Sequence, residues 1–312
     1  MKEHFSKRFS TYSIVAQDPA TGELGVAVQT HQMCVGSVVP WIKPGLGALA
    51  TQAHANIKFG PLGLALLAEG IEPDRVIAAL VASDAGANRR QVAVVDAQGR
   101  AAAWTGENCI PEASHHAGEG YSVQANMMTN PTVIPAMTQA FESAPGDLAA
   151  RMLAALRAAQ AEDGDIRGMQ SAALKVVPGD RAKPAWDALY DLRVDEHDSP
   201  VEELARLVRL RRAALLDEHG FHAFDAGQID EALALWREAR TIAPEMEELP
   251  FWQAMTLADE RADVAVAVDL LRPAFEHDPR RAEWTDLIRR LQACGMLRRT
   301  GAADEIIAAL GW

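Results

Sequence analysis

The chain has 312 residues, of which 49% are hydrophobic and 23% charged, values that are typical of globular proteins and sufficient for two domains. Its 43 acidic and 30 basic residues give a net charge of -13, which excludes a general nucleic-acid-binding protein because phosphate binding needs a basic face. No apolar run approaches the roughly 18 residues that span a membrane, and no apolar segment follows the basic N-terminal residues, so we expect a cytoplasmic protein without a secretory signal.

A β-hairpin is the first predicted element. Apolar and polar residues alternate from Thr11 onward, with Tyr12 and Ile14 on one face. The Asp-Pro-Ala-Thr-Gly segment 18–22 reverses the chain into a second strand at 24–29. The hairpin therefore carries a hydroxyl residue at its head.

Strands and helices then alternate in blocks up to residue 194. The patterns predict strands at 37–42, 46–52, 91–96, 100–105, 121–126, 171–177 and 188–194, helices at 64–68, 74–83, 131–143 and 147–162, and a loop at 56–63. Blocks of strands separated by helix pairs fit an α+β domain, with two packed antiparallel sheets and helices outside them.

The composition changes at residue 199, after which every pattern is helical. Ser199 and Pro200 predict a helix start, and this helix is expected to end near residue 216. Further on, Ala232 and Trp236 align with Ala267 and Leu271 at a shift of about 35 residues, close to the tetratricopeptide period of about 34. We predict a first domain over 1–198, a linking helix over 199–217, and a tetratricopeptide-like all-α domain over 218–312.

Several ordered segments of the first domain resemble a known family. They are VGSVVPWIKPGLGALATQA (35–53), RRQVAVVDAQGR (89–100), WTGENC (104–109), GEGYSVQANMM (118–128), RGMQSAALKVV (167–177) and YDLRVDEH (190–197). Together they are similar to the bacterial family DUF1028, a member of the Ntn-hydrolase-like superfamily, and the hairpin resembles the opening of proteasome subunits. The resemblance implies a four-layer αββα sandwich of two antiparallel sheets.

The resemblance also implies that Thr11 is a catalytic nucleophile. In such enzymes the hydroxyl attacks a carbonyl while the free α-amine of the same residue, which titrates near pH 8, accepts the proton. Ten residues precede Thr11 here, so a free amine requires cleavage after Ser10 or translation from a later start. A protein that no longer hydrolyses anything is the third explanation. Ser10 and Ser13 are alternative nucleophiles, and Ser13 is expected to share a strand face with Thr11.

Stabilisation of an oxyanion would need hydrogen-bond donors close to this threonine. Asn126, at the end of a predicted strand, is the candidate side-chain donor, and backbone N–H groups within 124–127 are the alternative.

Other polar residues at predicted strand ends are candidates for substrate binding. Arg90 could hold a substrate carboxylate through a bidentate pair. The segment containing Gln170 matches a family motif, although its role could be to close the sheet. The full set of candidates is Gln52, His54, Asn56, Arg90 and Gln170.

The sequence thus leads to two functional hypotheses. The first is hydrolysis of an amide bond in a small or peptide-like substrate through an acyl-threonine. The second is a non-catalytic scaffold whose helical repeats bind a protein partner, and a homo-oligomer is compatible with either. No cofactor, metal, nucleic acid or membrane partner is expected. The spacing of the three cysteines indicates neither a disulfide framework nor a zinc site, and no cofactor-binding motif is present.

Overall fold

The structure is a computed structural model that describes residues 11–312. Contacts divide the chain into two compact units, the first ending at Val208 and the second beginning at Arg209. Both boundary residues belong to one long helix, α5, which spans Pro200–Asp225. The division therefore falls within the segment 199–217 for which the sequence predicts a linking helix.

A six-stranded antiparallel sheet has the N-terminal hairpin at its centre. Its strands are β1 (Thr11–Gln17), β2 (Leu24–Thr30), β7 (Ser114–Gly118), β8 (Tyr121–Asn126), β9 (Ser171–Val177) and β10 (Tyr190–Val194). They lie in the order β10-β9-β2-β1-β8-β7. The hairpin register pairs Thr11 with Thr30, and β8 pairs Thr11 with Asn126 on the other side.

A second, four-stranded antiparallel sheet keeps the order of the chain. Its strands are β3 (Pro40–Lys43), β4 (Gly47–Ala53), β5 (Arg90–Asp96) and β6 (Ala101–Thr105). In the register of β4 and β5, Gln52 lies opposite Gln91.

The two sheets pack face to face through small apolar side chains. Val15, Val28 and Val95 belong to one fully buried cluster that joins both sheets. Because residues two apart in a strand point to the same face, Thr11 and Ser13 share the inner face with Val15. The sandwich is therefore apolar along most of its interior and polar at the end where β1 begins.

Two helix pairs cover the outer faces of the sheets. Helices α1 (Phe59–Ala68) and α2 (Pro73–Ala82) pack on the four-stranded sheet, and α3 (Val133–Ser143) and α4 (Leu148–Ala161) pack on the six-stranded sheet. Helix α4 begins where the Asp147 side chain accepts a hydrogen bond from the Ala150 N–H at 2.8 Å, an N-cap interaction. The layers follow the order αββα, which confirms the predicted fold class.

The predicted loop at 56–63 is wrong in its second half, because α1 already begins at Phe59. Pro61 falls in the first turn, where its missing N–H removes no helical hydrogen bond. Gly60 and Gly63 are needed for close packing, since an added Cβ would lie 2.0 Å from Cδ2 of Trp41 and 2.3 Å from Cδ2 of Leu49.

Two strand predictions also need correction. The strand predicted at 37–42 begins too early: Val35–Ser37 forms a short 3-10 helix and β3 starts at Pro40. Strand β7 was not predicted at all, because Ser-His-His-Ala-Gly has no apolar alternation. It forms an edge strand whose residues are mostly exposed, so burial placed no constraint on its sequence.

The second unit is helical from Arg209 onward. After the end of α5 it contains α6 (Ile229–Ile242), α7 (Glu248–Glu260), α8 (Val264–Phe275), α9 (Arg281–Ala293) and α10 (Ala302–Leu310). Helix α5 continues past its predicted end at 216. It passes through Gly220 because this residue lies against Trp236, where an added Cβ would be 2.4 Å from the ring.

We predict that α4 contributes strongly to the stability of the sandwich. Leu156 on this helix is fully buried, so Leu156→Ala should lower the free energy of unfolding by about 2–5 kcal/mol through lost burial and a residual cavity. The matched control is Leu62→Ala on α1, where the side chain is 42% exposed and the loss should stay below about 1 kcal/mol. Urea unfolding measures both, and equal losses would contradict the prediction.

Candidate functional site

Thr11 lies at the start of the central strand and is completely buried. Its Oγ1 donates to Oγ1 of Thr30, the residue opposite it on β2, at 3.4 Å. Among residues 11–312, the Thr11 hydroxyl makes no hydrogen bond to a histidine, lysine or carboxylate. Ser10, and the predicted cleavage after it, lie outside the described residues.

The backbone carbonyl of Thr11 is held by two side-chain amides. Gln52 Nε2 donates to it at 3.2 Å from the four-stranded sheet, and Asn126 Nδ2 donates at 3.4 Å from β8. The structure thus brings Thr11, Gln52 and Asn126 together. Both amides donate to the carbonyl of Thr11. The sequence instead predicts that Asn126 donates to an oxyanion.

Gln91 connects these two amides and was missed in the sequence. Its Oε1 accepts from Gln52 Nε2 at 2.7 Å and from Asn126 Nδ2 at 3.0 Å. Its Nε2 donates to Oγ1 of Thr105 at 2.8 Å and to the carbonyl of Ala125 at 2.9 Å. The available signal was a glutamine at the head of the strand Gln-Val-Ala-Val-Val, where a fully buried amide must find partners.

A second arm of the network runs through Ser13, which lies on the same inner face as Thr11. Ser13 Oγ donates to Gln52 Oε1 at 2.6 Å, and Gln124 Nε2 donates to Ser13 Oγ at 2.6 Å. Ser122 Oγ donates to Gln124 Oε1 at 3.1 Å. The hydroxyl of Ser13 is thus used by two glutamines, which fixes its orientation within the sandwich.

Arg90, His54 and Asn56 form a separate group around Asp84. Arg90 Nε donates to Asp84 Oδ2 at 2.9 Å, Asn56 Nδ2 donates to the same oxygen at 2.8 Å, and Arg90 also contacts His54. Burial alone would raise the pKa of Asp84, but hydrogen bonds from Arg90, Gly86 and Asn56 lower that pKa to about 2. The Arg90 guanidinium is therefore paired within the protein.

Gln170 lies beside Thr30 through its backbone. Its N–H donates to the Thr30 carbonyl at 3.1 Å, and its carbonyl accepts from the His197 N–H at 2.9 Å. The first bond extends the pairing of β2 with β9, and the second joins the segment that follows β10 to the residue before β9.

A buried carboxylate supports the same end of β2. Asp165 Oδ2 accepts from the His31 N–H at 2.9 Å and from Arg167 at 3.0 Å. Asp165 is only 1% exposed, and a buried carboxylate needs a partner of opposite charge. The guanidinium of Arg167 supplies it. The signal for this residue was weak, since it lies in a loop far along the chain from β2.

No group of three or more His, Cys, Asp or Glu side chains within residues 11–312 is arranged to hold a metal ion. Within the same part of the chain, none of the helices combines the length and apolar character that crossing a membrane requires.

The model of the "Family of unknown function (DUF1028)" matches residues 11–204. Protein SPO2555 from Silicibacter pomeroyi, described under the same family, is 33% identical with a TM-score of 0.58, and the match covers 64% of this chain and 88% of that one. Anbu, an ancestral β-subunit from Yersinia bercovieri, is 11% identical with a TM-score of 0.33, covering 62% and 91%. No curated protein matches the sequence.

We predict that Gln91 determines the stability of this end of the sandwich. Gln91→Leu should cost at least about 2 kcal/mol, because it removes the acceptor that the amides of Gln52 and Asn126 share in a buried site, and with it the bonds of Gln91 to Thr105 and Ala125. Gln98→Leu, at an exposed position of the following turn, is the matched control and should change stability by less than about 0.5 kcal/mol. Chemical denaturation compares the two variants, and a loss no larger than that of the control would refute this role.

The pKa of Asp84 predicts a defined pH dependence. A folded-state pKa of about 2, against an ordinary value of 3.8, stabilises the fold by about 2 kcal/mol above pH 4, and this contribution disappears as the pH falls towards 2. Asp84→Asn should therefore be less stable than the parent at pH 7, and the difference should shrink below pH 4. Glu69→Gln, which removes an exposed carboxyl, serves as control in the same unfolding series, and a difference independent of pH would contradict the assignment.

Proposed function

Because the chain belongs to the DUF1028 family and carries a threonine at the head of its central hairpin, we propose that it is an N-terminal-nucleophile amide hydrolase. The observation that carries the proposal is the placement of Thr11. It is the first residue of β1, its hydroxyl faces the interior between the sheets, and two amides hold its carbonyl. Such fixation from both sheets supplies the positioning that nucleophilic catalysis requires.

In this proposal, removal of residues 1–10 frees the α-amine of Thr11. Oγ1 attacks the substrate carbonyl carbon while the amine accepts the hydroxyl proton. The C–N bond then breaks, the proton passes to the leaving amine, and the acyl group remains on Thr11 as an ester. Water hydrolyses the ester and restores the hydroxyl. An α-amine titrates near pH 8, so a useful fraction is unprotonated at neutral pH.

In this scheme the main role of Asn126 is to position Thr11. Its Nδ2 already donates to the Thr11 carbonyl and to Gln91, so it would have to leave one of these partners to bind an oxyanion. Backbone N–H groups within 124–127 are therefore the better donors for the oxyanion. This arrangement makes Asn126 important for the nucleophile's geometry even if it never touches the substrate.

The substrate is proposed to be small or peptide-like, with His54, Asn56 and Arg90 from the group around Asp84 and Gln170 beside Thr30 as the candidate binding residues. A substrate carboxylate at Arg90 would compete with Asp84, whose carboxylate is already in place. We therefore expect amide substrates without a strict requirement for a carboxylate.

A non-catalytic binding protein is the second candidate. The amides around Thr11 are paired with one another, with hydroxyls or with backbone carbonyls, and these bonds account for their presence without any reaction. Partner binding would then fall to the C-terminal helices. Their tetratricopeptide-like character stays a prediction, with α6 beginning at Ile229 and α8 at Val264.

The test compares the full chain with a chain that begins at Thr11. We expect the shorter chain to hydrolyse at least one member of a panel of N-acyl and aminoacyl p-nitroanilides, and the full chain to do so only after losing residues 1–10. Thr11→Ala should reduce turnover by at least about a hundredfold while Thr11→Ser retains it, since only the hydroxyl is required. Intact mass identifies the N-terminal residue in each preparation.

The outcomes separate the two candidates. Turnover that survives Thr11→Ala in a folded protein would remove Thr11 as the nucleophile. A correctly folded chain beginning at Thr11 that neither turns over the panel nor forms an acyl adduct would favour the binding protein.

A further inference from the structure

A cavity lies beyond Gln91, where β6 and β7, edge strands of the two sheets, meet. It has a volume of about 460 Å³, and its lining includes Thr105 at the end of β6, His115 on β7, and Glu107 and Glu112 in the connecting loop. The Thr105 Oγ1 and the His115 Nδ1 are 2.8 Å apart. The cavity therefore contains a hydroxyl and an imidazole in direct hydrogen-bond contact, at a place that the Thr11 mechanism does not use.

Gln91 fixes the position of the Thr105 hydroxyl. Gln91 Oε1 accepts from two amide groups, so its Nε2 faces the other way, towards Oγ1 of Thr105 and the carbonyls of Ser114 and Ala125. The Thr105 oxygen thus accepts from Gln91 and keeps its own hydrogen for a second partner. In the tautomer that carries its proton on Nε2, His115 accepts that hydrogen at Nδ1.

The imidazole is suited to take that proton. His115 is exposed by accessible surface, but protein atoms packed around its ring partly desolvate it. This desolvation lowers the pKa of His115 below its ordinary value of 6.5, and the neighbouring His116 lowers it further. The other titratable groups around the cavity are Cys109, Glu107 and Glu112. Burial raises the pKa of the Cys109 thiol, so this cysteine stays protonated and is a poor competitor as nucleophile.

We propose that Thr105 and His115 form a second reactive centre, which accepts acyl groups from small esters and is independent of Thr11. Gln91 fixes the Thr105 hydroxyl, His115 is the base, and the cavity accommodates the ester. Glu107 and Glu112 form no ion pair with another described residue, so the cavity favours neutral or cationic esters over anionic ones.

The step is a simple acyl transfer. Thr105 Oγ1 bonds to the ester carbonyl carbon while its proton moves to His115 Nδ1. The bond from that carbon to the leaving oxygen breaks, and the proton passes from the imidazole to the leaving alkoxide or phenoxide. The product is an O-acyl-threonine, which water hydrolyses with the imidazole again accepting a proton.

The experiment uses the full chain and p-nitrophenyl acetate as the probe. We expect a burst of p-nitrophenol, one added acetyl group in the intact mass, and a peptide map that places this group on Thr105. Thr105→Val, which keeps the side-chain shape, and His115→Gln should each slow acetylation by about a hundredfold, the usual contribution of a positioned base. His116→Gln is the matched control on the adjacent residue and should stay within about twofold.

Further measurements test the site even if Thr105→Val or His115→Gln does not fold. In Thr105→Ser the acetyl group should still map to position 105, and the negatively charged p-nitrophenyl hemisuccinate should react more slowly than the acetate. Glu107→Gln combined with Glu112→Gln should reduce that difference. Acetylation that maps to Cys109, Ser114 or Thr11, or that proceeds equally fast in folded Thr105→Val, would overturn the proposal.

Discussion

The structure depends on a hydrogen bond between two buried glutamines. Gln52 and Gln91 face each other on neighbouring strands, and their amides, 2.7 Å apart, extend together towards backbone carbonyls of the opposite sheet. A buried amide without partners costs more than a hydrogen bond normally contributes, so the two sheets can close at this end only in the register that satisfies both side chains. That one constraint places Thr11 and Asn126 against each other.

The rest of the interior is compatible with this constraint because it is small and apolar. Valine and alanine side chains fill the space between the sheets, and they tolerate little sliding without opening voids. Packing therefore sets the spacing of the sheets, and the amides set their alignment. Gln91 lies between the two candidate reactive centres. Its Oε1 accepts from the amides that hold the Thr11 carbonyl, and its Nε2 donates to the Thr105 hydroxyl.

Local patterns in the sequence were enough for the N-terminal hairpin and most helices, since strand alternation and helix periodicity are properties of short segments. The four-layer order came from the resemblance to a known family. Local patterns failed where tertiary contacts override local preference. Gly60 and Gly63 indicate a loop by themselves, yet they lie in a helix. Glycine occupies these positions because Trp41 and Leu49 leave no room for a side chain. Thr11, with the resemblance to a known family, could be singled out, whereas Gln91 could not, because its partners come from distant strands.

The two hydrogen bonds to the Thr11 carbonyl affect the conformational entropy of this end of the strand. A residue at the head of a strand ordinarily frays, and fixing one backbone residue costs about 1–2 kcal/mol. Here the hydrogen bonds from Gln52 and Asn126 act on the C-terminal side of Thr11, so they do not depend on the peptide bond to Ser10. Cutting that bond would create a new N-terminus that is already ordered. The entropic cost of ordering it would be met when the chain folds and not when a substrate binds.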